Sequence, residues 1–265
     1  YFQILKFLKT NEKFPSKSCW LTFDDGYLDH YKYVLPELKK RGMKGSFFPV
    51  AKSTNNNIIL EVNKIQHILA KKKNPNLIFD LVEDYTLKNF TRKENLIFKR
   101  KYFSKNVYDD IKTSYIKKML QFGIPNKERT KLINSLFKNF VNINEKQFSK
   151  KLYMKKFHLK KLINEGMHVG GHGDSHIRLG LASNKIQERE IRSTKKFLKS
   201  IKAETKDWLM CYPYGSFNND TKKILKKNGC KMALTVIKGK MDFSKNELLE
   251  IPRVDTNEIR SRVVA

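Results

Sequence analysis

The sequence predicts an α/β fold in which parallel strands and helices alternate around a barrel, interrupted by a long all-helical stretch. A short apolar run at 19–23, a helical pattern over 29–41 and a second apolar run at 46–50 form a strand–helix–strand unit. Helical patterns and short apolar runs alternate again from 184 to 254. Between 58 and 150 the apolar periodicity indicates amphipathic helices and no strand.

These patterns divide the chain into three parts. Residues 1–51 are the first part of the barrel, 52–150 a helical insertion, and 151–265 the second part of the barrel. The first part begins with helical apolar spacing over residues 1–9. Within the next helix, Pro36 is expected to bend the helix or to mark a restart, because proline removes an interior hydrogen bond.

The insertion is expected to contain five helices, at 60–71, 77–88, 107–121, 127–140 and 145–163. Two roles stay open for it: a lid or cap that binds the acceptor, and packing mass. The second barrel part is expected to contain strands near 167–169, 207–212, 231–236 and 248–254, with helices over 184–201 and 220–228. In such barrels the chemistry lies at the carboxyl ends of the strands.

The composition is strongly basic. Lys and Arg number 55 against 26 Asp and Glu, which gives a formal net charge of +29. Nucleic acid, an anionic membrane surface, a lipid-linked glycan and an acidic glycan are the partners that such a charge allows. Most of the excess is Lys beside many Asn, Ile and Phe, which an AT-rich genome would also produce. Because no nucleic-acid-binding motif appears, solvated lysine faces are the favoured interpretation.

The cysteines indicate a reducing compartment. Cys19, Cys211 and Cys230 show no framework spacing, so reduced thiols and a cytoplasmic location are expected, with peripheral membrane association as an alternative. No apolar run approaches the roughly 20 residues of a transmembrane helix. The sequence begins at Tyr1 rather than at a methionine, which leaves a preceding segment open.

Two carboxylates end the first apolar run. Asp24 and Asp25 repel each other, and a metal ion would offset their charge, with Asp25 as ligand and Asp24 as a base beside it. The alternative is an acidic helix N-terminus that follows a strand, since Asp stabilises the first turn of a helix.

A glycine-rich stretch with two histidines follows a later strand. His172 and His176 are four residues apart, so a tight loop can direct both imidazoles at one point. Two imidazoles and one carboxylate with open positions make a catalytic zinc arrangement. The alternative is a pair of surface histidines in a turn. A third stretch, Cys211 to Gly215, follows the apolar run at 208–210.

Three stretches, Thr22-Phe-Asp-Asp-Gly26, His172-Gly-Asp-Ser-His176 and Cys211-Tyr-Pro-Tyr-Gly215, together resemble the polysaccharide deacetylase family. That family carries TFDDG, H-[ST]-x-x-H and R-x-P-[FYW] at strand ends of a distorted (β/α) barrel. This chain departs at Gly173 and Cys211, where Ser or Thr and Arg are usual. More narrowly, residues 166–173 and 212–215 are similar to deacetylase-like proteins of lipopolysaccharide O-antigen gene clusters. The resemblance covers roughly residues 15–258.

The resemblance implies roles for the residues at these positions. Asp24 would be the catalytic base, and the backbone N–H of Tyr214 would donate to the oxyanion. Asp25, His172 and His176 would hold one divalent ion, with zinc expected. Since Cys211 carries no positive charge, Arg253 is the candidate replacement for the arginine that orients the base; an ordinary surface salt bridge is the alternative for Arg253.

Further candidates are weaker. Tyr27, Tyr212, Pro213 and Gly215 are expected to bind substrate; for the tyrosines, half-buried rings with solvated hydroxyls are the alternative. All six histidines lie at or before His176, so the family's general-acid histidine is not found near the C-terminus; a chain truncated at Ala265 would be an alternative reason. His30 and Asp174 are therefore the candidate acids.

The expected function is metal-dependent removal of an acetyl group, N-acetyl rather than O-acetyl, from a sugar in surface polysaccharide or lipopolysaccharide biosynthesis. Three alternatives stay open: hydrolysis of a small non-sugar amide, a catalytically impaired, metal-containing glycan-binding protein, and a nucleic-acid binder. The sugar, the metal and the oligomeric state are not readable from the sequence.

Overall fold

The computed structural model describes residues 1–10, 17–71, 74–106, 109–242 and 247–263, with only the backbone of 260–263. The chain forms two compact units. The sheet unit comprises residues 1–58 and 149–265, and the helical unit comprises residues 59–148. Within the described ranges, no helix is both long enough and apolar enough to span a membrane.

All strands of the described chain lie in the sheet unit and run parallel, which confirms the α/β fold. One three-stranded sheet has the order β1-β2-β3 and the other the order β4-β5-β6. The strands are β1 (Leu21–Asp25), β2 (Gly45–Pro49), β3 (His168–Val169), β4 (Trp208–Cys211), β5 (Cys230–Lys238) and β6 (Ile251–Arg253).

The sequence predicts a distorted barrel, and in the part of the chain that the structure describes, backbone pairing does not close the strands into one. An isolated parallel bridge between Gly171 and Met210 links the two sheets. There the Gly171 N–H donates to the Leu209 carbonyl and the Cys211 N–H to the Gly171 carbonyl, both at 2.8 Å. No described pairing joins β6 to β1, so the ring of strands stays open on that side.

Among the described residues, seven helices lie wholly within the sheet unit: α1 (Phe2–Thr10), α2 (Leu35–Lys40), α3 (Ala51–Asn56), α10 (Lys156–Asn164), α11 (Asn184–Ser200), α12 (Asn219–Lys227) and α13 (Thr256–Val263). A π-helical turn, His30–Val34, precedes α2, and Pro36 is the second residue of α2. The expected restart at Pro36 is therefore present. Because proline lacks an N–H, it fits the first turn of a new helix segment.

The helical unit contains α4 (Glu61–Lys71), α5 (Asn76–Asn89), α6 (Arg92–Tyr102), α7 (Ile111–Lys118), α8 (Asn126–Phe140) and the start of α9 (Glu145–Leu152). A π-helical turn, Met119–Gly123, extends α7. The sequence analysis missed α6, although its capping box is local. The Thr91 N–H donates to Glu94 Oε2 at 2.8 Å, and the Glu94 N–H donates to Thr91 Oγ1 at 3.3 Å.

The single helix expected over 145–163 is wrong. It breaks between α9 and α10, where Tyr153 forms an isolated antiparallel bridge with Tyr27. The Met154 N–H then donates to the Gly26 carbonyl at 2.9 Å. These backbone contacts to the loop after β1 outweigh the local helical periodicity and bring the start of α10 beside that loop.

Two clusters of buried side chains fix the strand ends. The larger one packs strand residues such as Phe47, Trp208 and Met210 against Leu159 of α10 and Leu198 of α11. The other cluster packs against α1. Its buried side chains come from β2, β4, β5 and β6 and are Phe48, Leu209, Cys211, Met232, Leu234 and Ile251. Dense packing of both clusters holds the carboxyl ends of the strands in fixed positions.

Candidate active site

The loop after β1 turns sharply at Asp25. Asp25 has a φ of 67°, in the left-handed region, and Gly26 continues with a φ of 72°. A Cβ on Gly26 would lie 2.7 Å from Pro49 Cβ, so only glycine fits there. Short polar side chains such as Asp tolerate the left-handed conformation better than branched ones. The turn directs the carboxylate of Asp25 away from the strand ladder.

The histidine loop leaves β3 through two closely packed glycines. A Cβ on Gly170 would lie 2.6 Å from the Phe48 ring, and one on Gly171 would lie 2.3 Å from Thr194 Cγ2. The loop then reaches His176, which also has a left-handed φ of 58°. Both imidazoles, of His172 and His176, are buried.

The donor atoms of Asp25, His172 and His176, the ligand cluster, converge on one point. Asp25 Oδ1 lies 3.5 Å from His172 Nε2 and 3.3 Å from His176 Nε2, and the two Nε2 atoms are 3.2 Å apart. Asp25 Oδ1 is buried and has no hydrogen-bond partner among the described residues. One carboxylate oxygen and two imidazole nitrogens at this spacing fit a divalent cation, zinc being the ion that this ligand set favours.

Outer contacts orient these ligands. His172 Nδ1 lies 2.8 Å from the Cys211 carbonyl oxygen, so Nδ1–H donates there and the Nε2 lone pair faces the cluster. The hydroxyl of Tyr27 donates to Asp25 Oδ2 at 3.2 Å, which leaves Oδ1 for the cation. Such outer-shell contacts fix the tautomer and the orientation of a metal ligand.

Asp24, His172 and Cys211 form a second group of potential donors. That group fits a cation less well, because both carboxylate oxygens of Asp24 already accept hydrogen bonds from Arg253. The Cys211 thiol also donates to Asp24, at 3.3 Å. Burial raises the pKa of Cys211, so its sulfur is a neutral thiol rather than a thiolate ligand.

The charges of the ligand cluster favour a cation. Burial opposes ionisation of Asp25, but contacts with the two histidines outweigh burial and hold its pKa well below the usual range. Burial opposes a charge on His172, yet its neighbours Cys211 and Asp25 raise its pKa well above the ordinary value. Burial and the charge of His172 lower the pKa of His176 to about 4. The pocket therefore attracts positive charge, and because coordination requires neutral imidazoles, a bound cation would replace the proton that these neighbours favour on His172.

Asp24 lies beside the ligand cluster and is held by Arg253. Arg253 Nη1 donates to Asp24 Oδ1 at 3.0 Å, and Nη2 donates to Oδ2 at 2.9 Å. The guanidinium is itself fixed by Nε, which donates to the Thr235 carbonyl at 2.8 Å. Burial acts to raise the pKa of Asp24, but the charges of His172 and Arg253 outweigh it and lower the pKa. Asp24 is therefore ionised, and the two hydrogen bonds from Arg253 hold its carboxylate in one orientation.

The third stretch turns close to the histidines. Tyr214 has a left-handed φ of 56°, and its ring centroid lies 4.6 Å from that of His176. At Gly215 (φ 62°) a Cβ would lie 2.3 Å from Val236 Cγ2. Pro213 is buried, and its Cγ would lie 3.2 Å from a Cβ on Gly173. This turn therefore requires glycine at 215 and packs directly on the histidine loop.

Two of the expected sugar-binding tyrosines have other contacts. The proposal that Tyr212 binds sugar is wrong, because its side chain is 1% exposed, stacks on Phe217 and donates to the Leu249 carbonyl at 3.0 Å. Tyr27 is half-buried and stacks on Tyr153, with 5.9 Å between the ring centroids. Its hydroxyl contacts the candidate metal ligand Asp25.

The two candidate acids lie in different elements, His30 in the π-helical turn 30–34 and Asp174 in the loop between the two histidines. The His30 ring packs against Phe23 and Tyr27, and burial lowers the pKa of His30. Asp174 pairs with Lys52 at 3.5 Å, while burial and the charge of Glu190 raise the pKa of Asp174. These shifts move the two pKa values in opposite directions from their ordinary ranges, and both residues remain candidates for the acid.

The sequence analysis missed Glu190. This α11 residue is 1% exposed, and its carboxylate accepts the backbone N–H groups of Asp174 at 3.1 Å and Ser175 at 2.9 Å, and also the Ser175 hydroxyl. Glu190 thereby fixes the loop between His172 and His176. The only sequence signal is a glutamate beside Ile191 on the apolar face of a long helix.

Comparisons with known proteins identify the family and the fold that this chain shares. The family model described as polysaccharide deacetylase matches residues 11–124 and 126–233. YxkH of Bacillus subtilis strain 168, a provisionally named polysaccharide deacetylase, is 53% identical over 45 residues, which are 17% of this chain and 16% of that protein. The chain therefore spans only a small part of the length of this curated relative.

Two solved structures share the fold. The deacetylase PplD of Streptococcus pyogenes, solved with acetate, has a TM-score of 0.56 and 18% identity, covering 96% of this chain and 70% of that one. A de-N-acetylase from Aggregatibacter actinomycetemcomitans has a TM-score of 0.54 and 12% identity, covering 98% of this chain and 80% of that one.

Proposed function

Because the chain belongs to the polysaccharide deacetylase family, we propose that it is a metal-dependent hydrolase that removes an acetyl group from a sugar during assembly of a surface polysaccharide or lipopolysaccharide. We propose an N-acetyl rather than an O-acetyl group, so that a carbon–nitrogen bond is cleaved. One observation carries the proposal: Asp25 Oδ1 has no hydrogen-bond partner among the described residues, and the Nε2 atoms of His172 and His176 face it within 3.5 Å.

Asp25, His172 and His176 would hold the ion. A bound divalent cation, with zinc expected, supplies Lewis acidity that polarises the acetyl carbonyl and lowers the pKa of water toward about 7. Asp24 accepts the proton of the attacking water, because its carboxylate is ionised and adjoins a ligand. Arg253 keeps that carboxylate in one orientation through two hydrogen bonds.

The remaining steps fall to the other loops. The backbone N–H of Tyr214 would donate to the oxygen that gains charge when water adds to the carbonyl carbon. As the carbon–nitrogen bond breaks, Asp174 or His30 would protonate the leaving amine, and acetate and the free amino sugar result. Pro213 and Gly215 shape the turn that presents Tyr214, and Tyr27 is proposed to border the bound sugar.

We also propose the three-part division into 1–51, 52–150 and 151–265, with the middle part as a helical insertion in a distorted barrel, either a lid or acceptor-binding cap or packing mass. The separate compact helical unit at 59–148 supports the insertion itself. We also propose a cytoplasmic location with peripheral association with an anionic membrane or a lipid-linked glycan, which the net charge of +29 allows. The lack of a nucleic-acid-binding motif in the sequence argues against nucleic acid as the partner.

The test is acetate release from nucleotide-, lipid- and polymer-linked acetylated sugars and a small non-sugar amide, with and without chelator. Release from a sugar that stops with chelator and returns with zinc supports the proposal. Release only from the small amide would overturn the substrate class. Metal and glycan binding without any release would favour the second candidate, a catalytically impaired glycan-binding protein, which the replacement of the third-stretch arginine by Cys211 also allows.

A further inference from the structure

A basic cavity of about 580 Å³ lies in the sheet unit, between the end of α3 and the start of α10. Thr54 and Asn57 line one side. The other side is lined by Lys155, Lys156, Phe157 and Lys160. The cavity includes none of the proposed metal ligands.

The three lysines of this basic cavity carry uncompensated charge. None of them forms an ion pair with a carboxylate of a described residue, and the Lys155 ammonium donates instead to the neutral Asn57 Oδ1 at 2.6 Å. Burial and the charge of Lys150 lower the pKa of Lys155. By contrast, Lys161, the next residue of α10, pairs with Glu165 at 3.0 Å. Clustered, unpaired ammonium groups around a cavity call for an anionic ligand.

Neutral groups on the walls fit the same ligand. Thr54 is 5% exposed, and its buried Oγ1 has no hydrogen-bond partner among the described residues. The first turn of α10 adds the positive end of a helix dipole, which favours phosphate. Phe157, also on the wall, is 64% exposed and offers an apolar face to a sugar or base.

Both walls connect to the catalytic loops. Tyr153, two residues before Lys155, stacks on Tyr27, whose hydroxyl donates to the metal ligand Asp25. On the other wall, the α3 residue Lys52 donates its backbone N–H to the Asp174 carbonyl at 2.9 Å. The basic cavity is therefore tied by direct contacts to the loops that carry the ligand cluster.

We propose that the basic cavity binds a phosphate group of the acetylated substrate, an assignment that rests on the proposed deacetylase function. The substrate class is then an acetylated sugar carrying a phosphate or diphosphate, as in a sugar nucleotide or a lipid-linked sugar. Phosphate oxygens accept hydrogen bonds from donors of these kinds: ammonium groups, a hydroxyl and the N–H groups of a helix N-terminus.

The first test is calorimetric titration of the zinc-loaded full chain with inorganic pyrophosphate at low ionic strength. The double variant Lys155→Gln, Lys160→Gln should weaken binding by about tenfold or more, since each lost contact is charge-assisted. The matched control Lys161→Gln should stay within about twofold of wild type. Equal weakening in the control, or the absence of saturable binding, would overturn the proposal. His172→Ala should leave binding unchanged; its loss there would assign pyrophosphate to the metal site instead.

The second test compares acetate release from a sugar nucleotide, a lipid-linked sugar diphosphate, a uronate-containing oligosaccharide and a neutral oligosaccharide. The double variant should raise KM about tenfold for the phosphate-bearing substrates, and the better of those two identifies the source. An equal rise for the neutral oligosaccharide, or a rise for the uronate substrate alone, would contradict phosphate recognition. If no substrate releases acetate, the proposed function fails, while the pyrophosphate titration still decides the cavity.

Discussion

Arg253 holds both carboxylate oxygens of Asp24, with Nη1 to Oδ1 at 3.0 Å and Nη2 to Oδ2 at 2.9 Å. Arg253 ends β6 and Asp24 lies near the end of β1, so side chains connect two strands that no described backbone pairing joins. In the family that the chain resembles, an arginine of the third stretch orients the base, and Cys211 stands at that position here. In this chain the guanidinium that contacts Asp24 therefore comes from β6, as expected if Arg253 takes the place of that arginine.

Removing this guanidinium should slow the reaction without removing the ion. For Arg253→Met, kcat should fall by roughly 10- to 100-fold, because the Asp24 carboxylate loses its fixed orientation but stays next to Asp25 in the chain. Arg253→Lys should recover only part of the loss, since an ammonium cannot bind both oxygens in the same geometry. Arg192→Met, which breaks only the exposed pair with Glu188, is the control. Unchanged kcat in Arg253→Met would remove Arg253 from the mechanism.

Relocating the arginine should restore activity. In an Arg253→Met background, Cys211→Arg should raise kcat by about tenfold over the single variant, because the Cys211 side chain already lies 3.3 Å from Asp24 Oδ2. Cys211→Ala alone should stay within a few-fold of wild type. The comparison requires matched unfolding transitions, since residue 211 is buried. No gain in a folded double variant would argue that position 211 cannot serve as the site of the orienting group.

Glu190 should control metal affinity from outside the ligand shell. In Glu190→Gln, an amide NH2 group replaces one of the carboxylate oxygens that accept hydrogen bonds from Asp174 and Ser175. The loop between His172 and His176 should therefore be held less firmly. Zinc affinity, measured by chelator competition, should fall by roughly 10- to 100-fold. Glu188→Gln, on the exposed face of the same helix, should change nothing. Equal zinc affinity in Glu190→Gln and wild type would make Glu190 a packing residue only.

Tyr212 should matter for stability and not for sugar recognition. Tyr212→Phe removes a hydrogen bond to the buried Leu249 carbonyl and should lower the free energy of unfolding by about 1 kcal/mol. KM for an acetylated sugar should not change, because the ring is enclosed by the core. Urea denaturation and steady-state kinetics on the same preparations separate the two effects. A raised KM at unchanged stability would return Tyr212 to the binding site.

Local patterns made much of the fold predictable. Short apolar runs at 19–23 and 46–50 mark β1 and β2 closely, because buried parallel strands read as continuous apolar runs. Pro36 marked the start of a new helix segment for a similarly local reason. By contrast, the break between α9 and α10 depends on Tyr27 pairing with Tyr153, a contact between distant residues that helical periodicity cannot register.

The site was predictable in residue type rather than in geometry. Carboxylate and imidazole side chains after strand ends pointed to Asp25, His172 and His176 as a group. Their convergence depends on left-handed backbone at Asp25, His176 and Tyr214, which a non-glycine residue does not announce in sequence. Glu190 was missed because a buried acid on a helix becomes recognisable only when the loop that it binds is in place.

Metal content measured beside acetate release most directly tests the claim that Asp25, His172 and His176 hold the ion and Asp24 works beside it. Elemental analysis of purified wild type, Asp24→Asn and His172→Ala gives the stoichiometry, and the same samples are assayed on an acetylated sugar. Wild type should hold about one divalent ion per chain. Asp24→Asn should keep that ion but lose roughly 10²- to 10⁴-fold in rate, and His172→Ala should lose both ion and activity. Full metal content in His172→Ala, or loss of the ion in a stably folded Asp24→Asn, would contradict this assignment.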